Sequence, residues 1–466
     1  MSSDRPSIAV VVLDTLRHDA FEDEFDWLPG VRFDAAYSTA HWTVPAHASL
    51  FTGQYGSEVG VHAKSPALDC EARPLAEALQ SAGYATRLWT ANPQLHQWDG
   101  WDRGFDQHRG PHELHPAADE VFDWHGYSQE SDREGVGLYL AGLWRCLRSD
   151  RPTLRSVRHG YREYSRSIAD GGTEAVADRV RATDFGDREF LVLNLMEAHS
   201  PWKPPEPYRT HDEEMDVTVA ESFAGEVADA ARLRRAYRDS VRYLADAYAD
   251  LFADLRQRFD YVVTLSDHGE LLGERGRWKH GYGLAPELTH VPLVVSGEDV
   301  PDERRSDPAS LLDVHRTLGA LAGVEVESRG RDLFGDSAPA DRLVEYHGFA
   351  PWHRDQFERA GVEAVFETRD SPLDGLVTAD GAYAYETHGG DSRDAGAREE
   401  ASGSAEPREE ASDFAGTSVR VARGDVDDAA ALLAALRESV PRRDVSGESV
   451  AVSDDVRDRL EDLGYA

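Results

Sequence analysis

The segment IAVVVLDTLRHD (residues 8–19) begins with six apolar residues in a row and becomes largely polar from Asp14 onward. A short, valine-rich apolar run is typical of a strand that is buried on both faces of a parallel sheet. Similar runs recur along the chain, and each one predicts a further parallel strand: ATRLWT (85–90), FLVLNLM (190–196), YVVTLS (261–266) and VPLVV (291–295).

Helical patterns lie between these runs, at RPLAEALQSAGY (73–84) and across residues 230–257. The second has apolar side chains at three- and four-residue spacings, which predicts one long amphipathic helix. Alternating strands and helices predict an α/β fold with a doubly wound, mostly parallel sheet flanked by helices. We expect this sheet domain to span residues 1–335, with the polar segment 110–188 forming a helical insertion over one end of it.

The remainder of the chain, residues 336–466, predicts a small C-terminal α+β subdomain. Strand signals in LVEYHGF (343–349), GVEAVFET (361–368) and DGLVTADGAYAYET (374–387) indicate an antiparallel sheet, and a helix is expected near residues 425–438. Residues 390–416 are acidic and nearly free of large apolar groups, a composition that predicts a disordered loop.

The charge balance is strongly acidic, with a formal net charge of −37 and only three lysines, Lys64, Lys203 and Lys279, among 50 basic residues. This composition resembles that of proteins from salt-adapted archaea, where salt screens self-repulsion, and it disfavours nucleic acid or an anionic membrane surface as a partner. Two cysteines exclude a disulfide framework. The apolar N-terminal run is too short for a signal peptide or a membrane span, so we expect a cytoplasmic protein.

Polar residues follow four of the predicted strands: Asp14, Asn92, the segment leading to His199, and Asp267 with His268. The carboxyl ends of parallel strands meet at one edge of a sheet, which predicts a shared polar site there. Two carboxylates and an imidazole suit a divalent cation. Asp and Gly also form turns, so SDHGE alone is equally consistent with a turn; together with Asp14 it favours one metal ion.

The segment HWTVPAHASLFTG (41–53) allows two interpretations. Thr43 before a proline and helix formers is typical of a capped helix, but a hydroxyl over a helix N-terminus could also attack an anionic centre. A metal ion that binds the Thr43 oxygen would lower its pKa and favour the second interpretation. Lys279 with His280, in RWKHGYG, is the strongest candidate for neutralising an oxyanion or protonating a leaving group.

These segments, taken in order, resemble the sulfatase branch of the alkaline phosphatase superfamily. The resemblance covers nearly the whole chain except residues 110–188 and 390–416. It rests on LDTLRHD, TVPAHASLFTG, EAHSPW, SDHGELLGE, WKHGYG and HVPLVV, and on the late segments SLLDVHRTLGALAGV and DRLEDLGYA. The chain departs from the family at four positions. Thr43 stands where sulfatases have Cys or Ser, His47 replaces an arginine, Thr15 replaces a second Asp, and Val59 replaces a histidine for which His62 is a substitute.

The resemblance implies a single-metal enzyme with a threonine nucleophile, similar to lipoteichoic acid synthase, that forms a phospho-threonine. It implies one divalent ion, Mn²⁺ or Ca²⁺ in the first place and Mg²⁺ or Zn²⁺ as alternatives, held by Asp14, Thr43, Asp267 and His268. Catalytic roles would fall to Thr43, His199, Lys279 and His280. Substrate-binding roles would fall to Asn92, His47, Arg17 and His62.

The predicted reaction is metal-dependent hydrolysis or transfer of a sulfate or phosphate ester. Phosphate is preferred because an ordinary alkoxide suffices for phosphoryl transfer. The partner would be a small-molecule or a glycan- or lipid-linked ester, with residues 110–188 forming walls of the pocket. The alternative is a non-catalytic sulfatase-like module that binds an anionic glycan or lipid head group, which the substitutions at Thr15, His47 and Val59 favour.

Overall fold

A computed structural model describes residues 5–131, 135–165, 172–211, 216–225, 227–389, 408–411 and 417–445. Its strands are β1 (Ile8–Leu13), β2 (Val31–Phe33), β3 (Ala36–Tyr37), β4 (Ala85–Thr90), β5 (Gln107–Arg109), β6 (Glu189–Leu195), β7 (Tyr261–Leu265), β8 (Leu271–Leu272), β9 (Trp278–Lys279), β10 (Leu293–Gly297), β11 (Glu303–Arg305), β12 (Ala309–Ser310), β13 (Arg342–Tyr346), β14 (Leu373–Val377), β15 (Tyr383–His388), β16 (Arg408–Ala411) and β17 (Thr417–Arg423).

The helices are α1 (His18–Glu24), α2 (Thr43–Thr52), α3 (Gly56–Val59), α4 (Leu75–Ser81), α5 (Trp124–Glu130), α6 (Gly135–Arg148), α7 (Thr153–Ser165), α8 (Thr173–Ala182), α9 (Val219–Ala224), α10 (Ala230–Arg256), α11 (Pro286–Thr289), α12 (Leu311–Leu321), α13 (His353–Arg359), α14 (Glu363–Arg369) and α15 (Ala429–Ser439). Short 3₁₀ turns occur at Pro93–Leu95, Pro111–Glu113, Pro116–Asp119 and Glu274–Gly276. None of the helices in the described ranges combines the length and the apolar character that crossing a bilayer requires.

The central sheet has eight strands in the order β11-β2-β10-β7-β1-β6-β4-β5. Strand β1 lies in the middle and pairs in parallel with β6 and β7, and all six of its residues are buried. Burial on both faces explains why its sequence is continuously apolar rather than alternating. This mostly parallel sheet between helices confirms the predicted α/β fold.

One strand prediction was wrong in direction. The run VPLVV does form a strand, β10, but it pairs antiparallel with β7 and with β2. A parallel return from β7 would need a crossover helix packed on the sheet. The described chain between β7 and β10 contains only the β8–β9 hairpin, one 3₁₀ turn and the four-residue helix α11, so the chain returns in the opposite direction.

Helix α10 is the longest helix, and its bounds match the predicted amphipathic segment. Its buried face includes Leu233, Tyr237, Leu244, Tyr248 and Leu255, which belong to the main hydrophobic cluster around the central sheet. Each large apolar side chain buried in this way stabilises the fold by about 1.5–3 kcal/mol. The helix thus covers one face of the sheet along 27 residues.

A second, antiparallel sheet of order β13-β14-β15-β17-β16 follows in the C-terminal part. The strands predicted in LVEYHGF and DGLVTADGAYAYET are β13, β14 and β15, but GVEAVFET forms helix α14 instead of a strand. Its apolar residues Val362, Val365 and Phe366 have the spacing of one helical face, and this outweighed the strand preference of valine and phenylalanine. Tyr37 stacks on Tyr383 at 5.3 Å between ring centroids, which joins this sheet to the rest of the molecule.

Residues 110–188 contain α5, α6, α7 and α8 within the described ranges. Of the predicted disordered loop 390–416, only residues 408–411 are described, as strand β16, and the others lie outside the described residues. The proposed boundary at residue 335 stays a prediction.

Candidate active site

The carboxyl ends of the central strands deliver a group of buried polar side chains to one edge of the sheet. Asp14 directly follows β1, and Asp267 and His268 follow β7, which is its parallel neighbour. Ligand atoms of these three residues all lie within 4.8 Å of one another. The parallel pairing of β1 with β7 therefore brings Asp14, Asp267 and His268 together, because parallel neighbours end on the same side of the sheet.

Thr43 reaches the same point from helix α2. The residue before the helix is Trp42, whose backbone is extended, so Thr43 is the first helical residue and not its cap. Its Oγ1 lies 3.2 Å from His268 Nε2 and accepts a hydrogen bond of 3.2 Å from Asn92 Nδ2. The hydroxyl of Thr43 thus faces the Asp14–Asp267–His268 cluster, and the interpretation of this residue as a simple cap does not describe its contacts.

The orientation of His268 is set by its other ring nitrogen. Nδ1 lies 2.9 Å from the carbonyl oxygen of Gly269, to which it donates. Nε2 is then unprotonated and faces Asp14 Oδ1 at 3.8 Å and Asp267 Oδ2 at 3.5 Å. Burial lowers the pKa of His268 below its usual 6.5, which favours the neutral ring that binds metal ions.

The carboxyl groups have the electrostatics of an ion site. Burial, and then the neighbouring Asp267 carboxyl, raise the pKa of Asp14 to about 7, and burial raises the pKa of Asp267 to about 7. Within the described residues, Oδ1 of Asp14 has no hydrogen-bond partner although it is fully buried. Two buried carboxylates and a neutral imidazole need a cation, so the donor set fits one divalent ion.

A second group of basic side chains borders this cluster. The ring of His280 lies 4.6 Å from that of His268 and 5.1 Å from that of His199, measured between centroids. His280 Nδ1 lies 3.0 Å from Glu270 Oε1, which fixes the ring, and burial raises the pKa of Glu270 to about 8. Burial also lowers the pKa of His199 and of His280 well below 6.5, so both rings are neutral near pH 7.

Lys279 is buried, with a backbone φ of 67°, and its ammonium donates to Asp216 at 2.9 Å and to Ser200 Oγ. The contact with Asp216 fixes the position of the lysine at the edge of the histidine group. Neither partner was identified from the sequence. Asp216 lies far from any motif, whereas Ser200 directly follows His199 and was overlooked.

The other predicted substrate-binding residues do not all lie at the acidic cluster. His47, one turn after Thr43, lies with Nδ1 at 3.0 Å from the Thr43 carbonyl and 3.5 Å from Asp267 Oδ2, so it is part of the cluster. Arg17 instead pairs with Asp19 and Glu274 at 2.6 and 2.7 Å. His62 contacts the ring of His347 at 5.1 Å, on the C-terminal side.

Two residues of the cluster were missed. Asn194, inside β6, donates from Nδ2 to Asp14 Oδ2 at 3.1 Å, next to the 2.8 Å bond that Asn92 donates to the same oxygen. A single amide within the apolar run FLVLNLM was the available signal, since a buried polar residue needs a partner. The second is Glu270, in SDHGE, whose contact with His280 brings together residues ten apart and depends on the fold.

A cavity of about 410 Å³, counting its open mouth, adjoins the site. Its lining includes His41, Trp42, His280, Trp352 and His353, and none of the lining residues within the described ranges comes from segment 110–188. The expectation that this segment walls the pocket therefore differs from the structure. The walls come instead from the start of helix α2, the β9 region and the connection between β13 and α13.

Comparison with known proteins gives matches to a sulfatase family model and to proteins named as sulfatases or as enzymes of related esters. The family model described as "Sulfatase" matches residues 23–324. The choline-sulfatase of Rhizobium meliloti is 24% identical over 372 residues, 70% of this chain and 69% of that protein. The low-salt glycan biosynthesis sulfotransferase of Haloferax volcanii is 26% identical over 348 residues, 72% of this chain and 66% of that protein. The structure of a phosphonate monoester hydrolase from Silicibacter pomeroyi superposes with a TM-score of 0.57 at 17% identity, covering 82% and 86% of the two chains.

Proposed function

The chain belongs to the sulfatase family, and on that premise we propose that it hydrolyses or transfers a sulfate or phosphate ester with Thr43 as its nucleophile. The observation that carries this proposal is the position of Thr43 Oγ1, 3.2 Å from His268 Nε2 at the edge of the acidic cluster. The family match begins after Asp14, so the role of Asp14 rests on its geometry alone.

The donor set supports one divalent ion held by Asp14, Asp267, His268 and the Thr43 oxygen, with Mn²⁺ or Ca²⁺ preferred over Mg²⁺ or Zn²⁺. A bound divalent ion supplies Lewis-acid polarisation and lowers the pKa of an oxygen that it contacts. The second oxygen of Asp14 is already engaged by Asn92 and Asn194 at 2.8 and 3.1 Å, which orients the carboxylate.

The protein's own groups account for the two halves of the reaction. Thr43 Oγ1, which accepts a hydrogen bond from Asn92, gives its proton to the Asp267 carboxylate beside it and forms a bond to the phosphorus or sulfur of the ester while the bond to the leaving oxygen breaks. Lys279 provides the proton that the leaving oxygen takes up, and the neutral rings of His199 and His280 contact the non-attacking oxygens. Water or an acceptor hydroxyl then attacks the Thr43 ester and regenerates the hydroxyl.

Phosphate is our preferred ester chemistry. Threonine cannot form the aldehyde hydrate by which the resembled sulfatases release sulfate, whereas an alkoxide suffices for phosphoryl transfer. The names of the two relatives speak for sulfate, and the name of the structural neighbour speaks for a phosphorus ester. Sulfate therefore remains the second candidate.

The cavity supports a substrate with a ring-bearing or apolar group next to the ester. Trp42 and Trp352 line it and lie edge to face at 6.1 Å, a surface on which a sugar ring can stack. A glycan- or lipid-linked ester fits this lining better than a small-molecule ester that lacks a ring or an apolar group. The acidic composition and the relative from Haloferax volcanii support an archaeal, salt-adapted protein.

A direct test compares the wild type with Thr43→Ala on bis-4-nitrophenyl phosphate and 4-nitrophenyl sulfate, with Mn²⁺ in molar salt. We expect the wild type to hydrolyse the phosphate diester and Thr43→Ala to lose roughly a thousandfold in rate, because the attacking atom is removed. Thr43→Ser, which keeps a hydroxyl, is the matched control and should retain measurable activity.

Three outcomes would change the assignment. Full activity of Thr43→Ala would remove the nucleophile from the proposal, and hydrolysis of the sulfate ester alone would overturn the preference for phosphate. Purified protein that retains no divalent ion and hydrolyses neither ester would favour the non-catalytic module that binds an anionic head group.

A further inference from the structure

Helices α6 and α7 form a hairpin that leaves a stripe of large apolar side chains in solvent. On α6, Leu140, Leu143, Trp144 and Leu147 are 65, 37, 56 and 59% exposed, and on α7 Leu154 is 85% exposed. The α6 residues follow the spacing of one helical face. Elsewhere in the described ranges the only exposed large apolar residues are Phe334 and Leu432, so the stripe is a local feature of the hairpin.

The stripe lies on the outward side of the hairpin. Gly142 and Cys146 of α6 and Ser156 of α7 are buried on the opposite side of their helices, and Ser156 Oγ accepts a hydrogen bond from the Phe122 amide. The hairpin therefore already has a packed face, which lies against Phe122 and helix α5. Its apolar outer face is additional to what the fold requires.

The hairpin is positively charged, in contrast to the rest of the molecule. Residues 135–165 contain six arginines and two acidic residues, a net charge of +4 in a chain whose net charge is −37. Two arginines border the stripe: the Arg148 guanidinium lies 3.9 Å from the Trp144 ring, and Arg158 is exposed one turn after Leu154. Arg145 lies over the Tyr127 ring, and Arg155 pairs with Glu120 at 2.9 Å. Long basic side chains beside an exposed Leu/Trp face are typical of helices that lie in a membrane interface.

We propose that the α6–α7 hairpin docks the protein on an anionic lipid surface, with the Leu140–Leu147 stripe in the acyl boundary and the arginines on lipid phosphates. This revises the sequence-based exclusion of anionic membranes, which used the net charge of the whole chain. The acidic remainder of the protein can point away from the bilayer, and at high salt its repulsion is screened beyond about 3 Å.

A second copy of the chain fits the hairpin less well. Pairing hairpin with hairpin would place two surfaces of charge +4 against each other. Pairing the stripe with another part of the chain would need a matching apolar patch, and the described residues outside the hairpin offer only the isolated Phe334 and Leu432. Charge and apolar surface together therefore favour lipid.

The test is flotation of the full-length protein with vesicles in 0.5 M and 2 M KCl, using phosphatidylglycerol mixed equally with phosphatidylcholine, and phosphatidylcholine alone. The preference for the anionic vesicles should be larger at 0.5 M, where charge is screened less. We expect the wild type to float with the anionic vesicles. Trp144→Asp/Leu147→Asp should bind at least about tenfold less, because two charged side chains replace the apolar side chains that would enter the lipid. The matched control, Phe334→Asp/Leu432→Asp, makes the same change at the exposed apolar residues elsewhere and should bind like the wild type.

A charge variant, Arg148→Glu/Arg158→Glu, should lose the preference for anionic over neutral vesicles. Absence of wild-type flotation, or equal flotation of Trp144→Asp/Leu147→Asp, would overturn the proposal. A wild-type dimer in sedimentation velocity that this variant converts to a monomer, without flotation, would assign the stripe to a second copy instead. Binding is independent of the proposed catalysis, and hydrolysis of a soluble ester by the variants would show that they are folded.

Discussion

Thr43 differs from an ordinary first helical residue in what surrounds its hydroxyl. Asn92 donates to it and His268 lies on its other side, and all three side chains are buried. Burying polar atoms this close together costs folding free energy. Such an arrangement next to carboxyl groups with raised pKa values is typical of a functional site. The residues that orient Thr43 are therefore the most informative ones to change.

Asn92 and Asn194 allow a matched comparison. Both donate to Asp14 Oδ2, at 2.8 and 3.1 Å, but Asn92 also donates to Thr43 Oγ1. We expect Asn92→Ala to lower kcat on the best ester by about 10²-fold, the usual cost of one aligned donor, and Asn194→Ala to lower it less. Steady-state kinetics with both variants tests this, and equal losses would limit Asn92 to holding Asp14.

The raised carboxyl pKa values predict how stability depends on pH and on metal. The pKa of Asp14 and of Asp267 is about 7 in the folded chain against a usual value of 3.8, so the metal-free fold takes up protons between these values. Their stabilising contribution is complete below about pH 4 and is lost as the pH rises through 7.

A divalent ion replaces those protons, so the increase in Tm on adding Mn²⁺ to EDTA-treated protein should be larger at pH 8 than at pH 5.5. Calorimetry in constant KCl measures this difference. Asp14→Asn is the control and should show a smaller increase at pH 8. The same increase at both pH values would contradict the assignment of these carboxyls to the ion.

The turn after β7 depends on close backbone approach. Gly269 lies between His268 and Glu270, and a Cβ at this position would meet the carbonyl oxygen of Glu287 at 2.1 Å. Its amide also donates to the carbonyl of Leu288 at 2.8 Å, which ties the turn to helix α11. The chain therefore needs glycine here to hold the metal-binding segment against its neighbour.

Gly269→Ala should consequently destabilise the fold by about 1–3 kcal/mol and displace His268. Thermal unfolding together with Mn²⁺ titration measures both effects. Gly137→Ala in α6 is the matched control, since a Cβ there meets nothing within 4 Å, and it should be neutral or stabilising. Wild-type stability and metal affinity in Gly269→Ala would show that the turn has room to move.

The loop after β1 is held in a costly conformation by a distant helix. Thr15 has a φ of 58°, unusual for a β-branched residue, and its Oγ1 donates to the Asp14 carbonyl rather than pointing to the acidic cluster. Tyr237 of α10 donates to the Thr15 carbonyl at 3.1 Å and accepts from the Arg17 amide at 2.9 Å. Helix α10 thus positions Asp14 through the loop that follows it.

The charge of −37 acts on the molecule as a unit. Self-repulsion favours expansion, and salt screens it, so the unfolding temperature should rise as KCl increases from 0.1 to 2 M. Thermal melts followed by circular dichroism measure the rise, and sucrose at matched osmolality is the control because it does not screen charge. A Tm that is the same across this range would argue against salt adaptation.

The sequence was sufficient to predict the central sheet and the meeting of Asp14, Asp267 and His268, because apolar runs and the residues that follow them are local patterns. The roles assigned to these residues stay predictions. The sequence was insufficient where partners come from distant segments: the antiparallel direction of β10, the helix at Glu363–Arg369, and the contacts of Lys279 with Asp216 and of His280 with Glu270.

Only the tertiary structure decided which surfaces remain uncovered. The walls of the cavity come from the start of α2, the β9 region and the C-terminal part instead of residues 110–188, and the hairpin inside that segment presents an apolar face to solvent with Arg148 beside it. Periodicity reveals that a helix has an apolar face, but not whether another element covers it, since burial is a property of long-range packing. The net charge of the chain likewise gave no indication of the positive hairpin, because a sum of charges does not show where in the structure the charges lie.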